Sequence, residues 1–345
     1  GLSMTKNKPN IILAVDQFEW SFHRIATQLE KHLGDEFSFN VVPSSLLRNA
    51  KCDVAIVFWW RDHSLVQKNT SAKSIILCLY DHVSWQYHPV DVGDFENAVS
   101  KSKILVVGNE SLYKEVCHNQ QASLPIFILE DGVDTDAFKP LPLPNQFTLG
   151  WCGDSRVGHG LIKGLPIIQN AAKNAGVKLV IADKGNGTAI RQDKMNEWYR
   201  KISVYVCASK TEGTPNPPLE AMACGRPVIT TNVGIMNKVI HKGLNGYLVD
   251  RNSESFRDCI NYLKKADLST MGKAARVTAE AHDWKYKIEG WRSCIRSALY
   301  LINKKFYVPS VECIEKKKEK ISDGKTRVLC ISDVKSWAFH KGALG

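Results

Sequence analysis

Between Glu212 and Glu220 lie seven residues, Gly213-Thr214-Pro215-Asn216-Pro217-Pro218-Leu219, three of them proline. The apolar run Val204–Ala208 before them predicts a strand, and Pro218–Cys224 predicts a helix closed by Gly225. Proline is tolerated in a first helical turn, where its missing N–H costs nothing. Ligands of open α/β sheets bind at such strand-to-helix loops, and the unpaired N–H groups of a helix start suit a phosphate. One carboxylate in the loop and one in the helix can therefore address a single ligand at two places. A second segment, Trp151-Cys152-Gly153-Asp154-Ser155-Arg156 followed by Lys163-Gly164, places two cations after a strand-ending glycine. Such cations make charge-assisted contacts to a departing phosphate, on which negative charge grows as its bond breaks. Taken singly, each of these ions also fits an ordinary solvated surface.

These side chains need a scaffold, and the chain alternates β-rich runs with helical periods. Strands are expected at Asn10–Val15, Phe37–Val42, Asp53–Phe58, Ser74–Leu79, Ile104–Val107 and Ile126–Leu129. The clearest helix between them is Phe22–Leu33, with Ile25, Leu29 and Leu33 on one face. This rhythm predicts a parallel sheet covered by helices. After a turn-rich link over 131–145 the rhythm restarts. Strands are expected at Phe147–Cys152, Lys178–Ala182, Val204–Ala208, Pro227–Thr230 and Tyr247–Val249, and helices at Ile162–Ala175, Met195–Tyr199 and Pro218–Cys224. From Ser253 to about Leu301 the pattern is wholly helical. The expected division is 1–142, 143–302 with its helical tail, a charged linker over 303–325, and 326–345. That last piece repeats the N-terminus: Asp16, Trp20, Phe22, His23 and Ala26 recur at the same spacing as Asp333, Trp337, Phe339, His340 and Ala343. It reads as the start of a second copy of the first domain, cut off inside it.

The 345 residues suffice for two cores, and 44% hydrophobic with 23% charged residues is a globular balance. The longest apolar runs fall short of the ~20 residues that span a bilayer. Ten cysteines are scattered without metal-ligand spacing, which points to a reducing, cytoplasmic compartment. The net charge of +11 fits either a solvated surface or contact with an anionic membrane. Nothing interleaves aromatics with basic residues as nucleic-acid binders do. A GxGxxG after the first strand is missing, which argues against a nucleotide oxidoreductase.

From Glu212 to Ile229, the order Glu-Gly-x-Pro, the second Glu and Glu-Ala-Met-Ala-Cys-Gly-x-Pro-Val-Ile resembles the E-x7-E signature of family 4 glycosyltransferases (group 1). Asp131-Gly132-Val133-Asp134 through Phe138 and Pro140 resembles that family's entry into its second domain, and Gly132 is expected in a positive-φ turn. Val233-Gly234 and Asn245-Gly246 resemble the segment closing the nucleotide pocket, with Lys238 in place of the usual acid. Asp283-Trp284 resembles the point where the last helix crosses back to the first domain.

The resemblance implies the α/β GT-B fold: two Rossmann-like doubly wound domains facing a central cleft, with C-terminal helices. It implies a metal-independent, retaining hexosyltransferase that uses a nucleotide-sugar donor, UDP- or GDP-linked, and no further cofactor. The acceptor is a glycan, lipid-linked or protein hydroxyl. Glu212 is then placed at the donor sugar and Glu220 at the ribose. Gly213, Thr214, Pro215, Gly153 and Leu219 line the donor, and Lys163 and Arg156 face the leaving diphosphate. Arg156 departs from the family pattern, because Asp154 occupies the arginine's usual position after the glycine. His82, after the strand ending at Leu79, is the candidate for a sugar hydroxyl, with a purely local role as the other reading. Trp20, His23, Phe58, Trp59 and Trp60 suit either a sugar-stacking platform or core packing. The departures at Asp154 and Lys238, with the terminal repeat, keep a second class open: a degenerate domain that binds a nucleotide sugar or a partner without turnover.

Overall fold

The computed structural model describes residues 8–18, 21–80, 89–119, 124–156 and 159–303. His82, Trp20, the charged segment and the terminal repeat fall outside them.

The described residues form two compact units: those up to Leu129 together with 288–303, and Glu130–Lys287. The first holds six parallel strands, β1 (Asn10–Val15), β2 (Ser38–Pro43), β3 (Val54–Val57), β4 (Ser74–Leu79), β5 (Ile104–Val107) and β6 (Ile126–Ile128). Their order is β2-β1-β3-β4-β5-β6. The interior strands are continuous apolar runs because parallel strands are buried on both faces; all six residues of β4 are buried. Edge strand β2 is half-polar and mostly only partly buried. Helix α1 (Ser21–Leu33) covers the sheet with Ile25, Ala26, Leu29 and Leu33. The other helices of this sheet are α2 (His63–Asn69), α3 (Pro89–Ser100) and α4 (Glu110–Asn119).

The second unit has the order β11-β10-β9-β7-β8, again all parallel. Its strands are β7 (Thr148–Gly153), β8 (Lys178–Asp183), β9 (Val204–Cys207), β10 (Val228–Thr230) and β11 (Gly246–Leu248). Alternation along the strands divides the core into two layers. Leu149, Trp151, Val204, Val206 and Ile229 pack one face with Ile168, Phe256 and Ile260. Tyr205, Cys207 and Val228 pack the other with Trp198, Tyr199, Leu219 and Met222. Each fully buried aliphatic side chain of this kind contributes about 1.5–3 kcal/mol.

The expected helix Ile162–Ala175 is two helices, α5 (His159–Lys163) and α6 (Leu165–Ala175). Gly164 breaks them with φ of 67°, and a Cβ there would lie 2.4 Å from the Ala208 carbonyl oxygen. A positive φ and a backbone neighbour that close leave glycine as the workable residue. After α7 (Met195–Tyr199), α8 (Asn216–Ala223) starts two residues before the expected Pro218, so that Pro217 and Pro218 both sit in its first turn. A short α9 (Met236–Val239) precedes β11. The helical tail resolves into α10 (Ser253–Leu263), α11 (Leu268–Ala281) and α12 (Trp284–Tyr300). From Ile288 on, α12 groups with the first unit.

The expected link 131–145 is in large part fastened into the second unit. Val133 pairs with Asp283 as an isolated parallel bridge. Asp283 Oδ2 accepts the Thr135 N–H at 3.1 Å and the Thr135 hydroxyl at 2.5 Å. Arg276 donates to the Phe138, Ala223 and Thr135 carbonyls. Arg226, fully buried, donates Nη1 to Leu141 O and Nη2 to Pro142 O, each at 2.7 Å. Its Nε donates to Tyr199 O and its Nη1 also to Cys224 O, and burial lowers its pKa to about 10. Gly132 does not take the expected positive φ. It is bare because a Cβ would come within 2.8 Å of the Trp284 backbone nitrogen.

Candidate active site

Strand β9 delivers the chain to the loop Ala208–Pro215, and the loop turns Glu212 toward Lys163 at the end of α5. Lys163 Nζ donates to Glu212 Oε1, and the Ser209 hydroxyl donates to the same oxygen at 2.7 Å. Burial opposes the lysine's charge, yet the Glu212 carboxylate outweighs it and holds the ammonium above its ordinary pKa. The two side chains keep 29% and 16% of their surface exposed, so the pair is shielded but not sealed.

Three contacts fix that meeting. Gly164 lies on the Ala208 carbonyl. The Lys210 N–H donates to Ile162 O at 2.7 Å. Arg251, just beyond β11, donates Nε to Ala208 O at 2.9 Å and Nη2 to Leu161 O at 2.5 Å. Arg251 thus ties the end of β9 to the last turn of α5. No motif in the sequence marks it, because its partners are backbone carbonyls far along the chain.

Glu220 sits in α8, buried. Its Oε2 accepts the Tyr199 hydroxyl at 2.8 Å, and its Oε1 accepts Gln192 Nε2 at 3.2 Å. Burial first, and then the Glu220 charge, push the Tyr199 phenol well above its ordinary pKa, so the phenol keeps its proton and donates. The sequence shows Tyr199 only as part of a helix and gives no sign of this role.

At the end of β7, Gly153 lies under the Trp151 ring. Arg156 does not stand open: Asp154 holds it with Nε 2.9 and 3.0 Å from the two carboxylate oxygens and with Nη2 bonded as well. Arg156 is 52% exposed and Asp154 only 13%. The loop itself hangs on buried Asp183, which accepts the Ser155 N–H at 2.9 Å, the Ser155 hydroxyl, and the Gly185 N–H at 2.8 Å.

Among the donor-lining candidates, Thr214 turns its hydroxyl to the Asp131 N–H at 3.0 Å. The Val233-Gly234 turn packs on the Gly213 carbonyl and on Pro215. Leu219 is fully buried in the core and has no side-chain surface to offer a ligand. Lys238 pairs with Glu130 at 3.0 Å, and Lys287 with the same carboxylate at 3.2 Å. Burial works to raise the Glu130 pKa, but the two ammonium groups hold it below its ordinary value. In the first unit, Phe58 and Trp60 are core residues against Trp291 and Phe95. Trp59 is 38% exposed, and His23 meets Phe18 edge-on. Core packing therefore accounts for Phe58 and Trp60 of the suspected aromatic platform. The structure brings Lys163 and Glu212 into contact, and it sets Glu220 in the helix that follows Glu212.

Residues 160–265 match the family described as Glycosyl transferases group 1. Over 140 residues the chain is 31% identical to a D-inositol 3-phosphate glycosyltransferase of Paenarthrobacter aurescens, covering 38% of this chain and 33% of the relative. It is 27% identical over 205 residues to an uncharacterized glycosyltransferase of Methanocaldococcus jannaschii, covering 56% and 53%. The matched stretches thus span a third to about half of these relatives' own lengths. Among solved structures it is similar to sucrose-phosphate synthase from Thermosynechococcus elongatus, with a TM-score of 0.65, 11% identity and coverage of 84% and 98%. It is likewise similar to Anabaena HepE in complex with UDP-glucose, with a TM-score of 0.67, 14% identity and coverage of 84% and 100%. The fold is GT-B, and the chain carries a Glycosyl transferases group 1 domain.

Proposed function

We propose that this chain, through its Glycosyl transferases group 1 domain, moves a hexose from a nucleotide-diphosphate sugar to an acceptor hydroxyl with retention of configuration. The observation that carries the reading is the Lys163–Glu212 pair at the carboxyl end of β9, with Glu220 buried in the helix that follows.

In this reading Glu220 takes a ribose hydroxyl, and Glu212 with Lys163 borders the sugar and its diphosphate. Lys163 is a held cation where negative charge grows as the glycosidic bond breaks. The leaving phosphate accepts the acceptor's proton on the same face of the sugar. Charge stabilisation then comes from side chains and helix-start amides, which is the support for proposing metal independence. Solved neighbours were crystallised with UDP or UDP-glucose, which favours a UDP-linked donor; a GDP-linked donor is the other candidate. The acceptor belongs to the glycan, lipid-linked or protein class, and nucleic acid is not proposed as a partner. Cys52, Cys78, Cys152, Cys207, Cys224, Cys259 and Cys294 are all unbridged, in keeping with a cytoplasmic location. Among the described residues no helix is long and apolar enough to cross a membrane. The basic surplus makes peripheral contact with anionic lipid a separate proposal, which sedimentation with anionic and neutral liposomes tests.

The deciding experiment is thermal-shift binding of UDP, GDP, ADP and their sugars with EDTA present, wild type against Glu220→Ala, followed by turnover with product configuration read by NMR. Selective stabilisation by one nucleotide, lost in the variant, is expected. No stabilisation by any of them sinks the reading. The Asp154–Arg156 clasp favours one alternative, a degenerate module that binds its nucleotide sugar without turnover; binding with no product formed would select it.

A further inference from the structure

The two cations assigned to the diphosphate are both already paired with carboxylates. Lys163 faces Glu212, and Arg156 is held by Asp154. The Asp183 carboxylate also acts on the Arg156 guanidinium. These two cations therefore face three carboxylates, Glu212, Asp154 and Asp183. Asp154 is the fixed member of its pair: it is mostly buried, and its Oδ1 also accepts the Arg156 backbone N–H at 3.1 Å. Arg156 is the half-exposed member on a long flexible stem, able to exchange Asp154 for a phosphate.

A fixed carboxylate repels a ligand in proportion to the ligand's own charge. The diphosphate of a nucleotide sugar is esterified at both ends and carries about two negative charges. Sugar transfer leaves a terminal phosphate whose second ionisation lies near pH 6, so the product carries about three at neutral pH. The same carboxylate therefore disfavours the product more than the donor.

We propose that Asp154 is a specificity-determining residue that discriminates against the product nucleoside diphosphate relative to the nucleotide-sugar donor, engaging Arg156 until a diphosphate replaces it. This rests on the transferase reading of the site. In that reading the aspartate trades overall affinity for fast product release, and an arginine in its place would hold both ligands tighter.

The test measures dissociation constants of UDP and UDP-glucose for the whole chain in EDTA at pH 7.5, with GDP and ADP and their sugars as the base controls. Wild type is compared with Asp154→Asn, and Asp154→Ser repeats the neutralisation with a smaller side chain. Neutralisation is expected to tighten UDP by roughly twofold to fivefold, the range of one partly exposed charge contact, and UDP-glucose by clearly less. Adding Arg156→Gln to Asp154→Asn should remove most of that gain. Equal changes for both ligands, or weaker binding of UDP in both folded variants, overturns the assignment while Glu220-dependent nucleotide binding leaves the transferase reading standing. If no nucleotide binds wild type or variants, the reading falls and the assignment with it.

Discussion

Arg251 and Ala208 are 43 residues apart in the chain, yet the guanidinium Nε of one donates to the carbonyl of the other at 2.9 Å. The same guanidinium reaches the Leu161 carbonyl in the last turn of α5. A side chain remote from any motif thereby sets where Lys163 meets Glu212. Replacing it with methionine keeps the stem's bulk and removes the donors. Arg251→Met should lower unfolding stability by only about 1 kcal/mol, since the residue is exposed and its bonds are replaceable by water. Transfer activity should fall by roughly tenfold or more, because misplaced groups lose rate steeply. Denaturant melts beside initial rates check this; parallel small losses in both would reduce Arg251 to ordinary packing.

Lys163→Ala should reduce kcat by on the order of 10²–10³, the usual loss for removing a charge stabiliser of the transition state. Nucleotide affinity should change much less. Lys163→Arg should recover little, because a planar fork does not replace a compact ammonium. Full activity in the alanine variant would contradict the role given to this lysine.

Tyr199→Phe deletes the hydroxyl that donates to Glu220 Oε2 while keeping the ring in the core. The buried carboxylate loses one donor, which should cost about 1–3 kcal/mol of stability. Chemical denaturation of Tyr199→Phe, Glu220→Gln and the double variant forms a cycle, and strictly additive losses would show that the two groups do not act on each other.

The Glu130 carboxylate, held below its ordinary pKa by Lys238 and Lys287, makes stability depend on pH. A group with a depressed folded pKa contributes fully above its unfolded value and loses that contribution as pH falls through the folded one. Below the ordinary carboxylate value, near 4.5, the wild-type melting temperature should fall faster than that of Glu130→Gln. Superimposable acid limbs for the two proteins would rule out this linkage.

Strands β1, β4 and β5 are legible to the residue, because a buried parallel strand is an apolar run bounded by polar turns. The break at Gly164 was not legible, since its cause is the Ala208 carbonyl across a tertiary contact. Gly132 shows the same limit: its glycine answers to the Trp284 backbone rather than to its own φ. At the site, residues with chemical character and local spacing, Glu212, Glu220 and Lys163, stand out in the sequence. Residues that act on them through backbone carbonyls or buried hydroxyls, Arg251 and Tyr199, do not. Asp154 is visible as a departure, but its grip on Arg156 is a matter of side-chain geometry that spacing does not encode.

The Arg226 contacts at Leu141 and Pro142 carry one more implication. The guanidinium grasps that stretch only by main-chain oxygens, and every residue type supplies one. Proline gives up its N–H yet keeps its carbonyl, so a proline-rich segment stiffens without loosening its attachment. Position 142, exposed, is thus able to drift in sequence while the strap stays fastened. Leu141 is more constrained, since its side chain packs on the core and its N–H donates to Cys224 O, and it is at position 226 that substitution should be punished most.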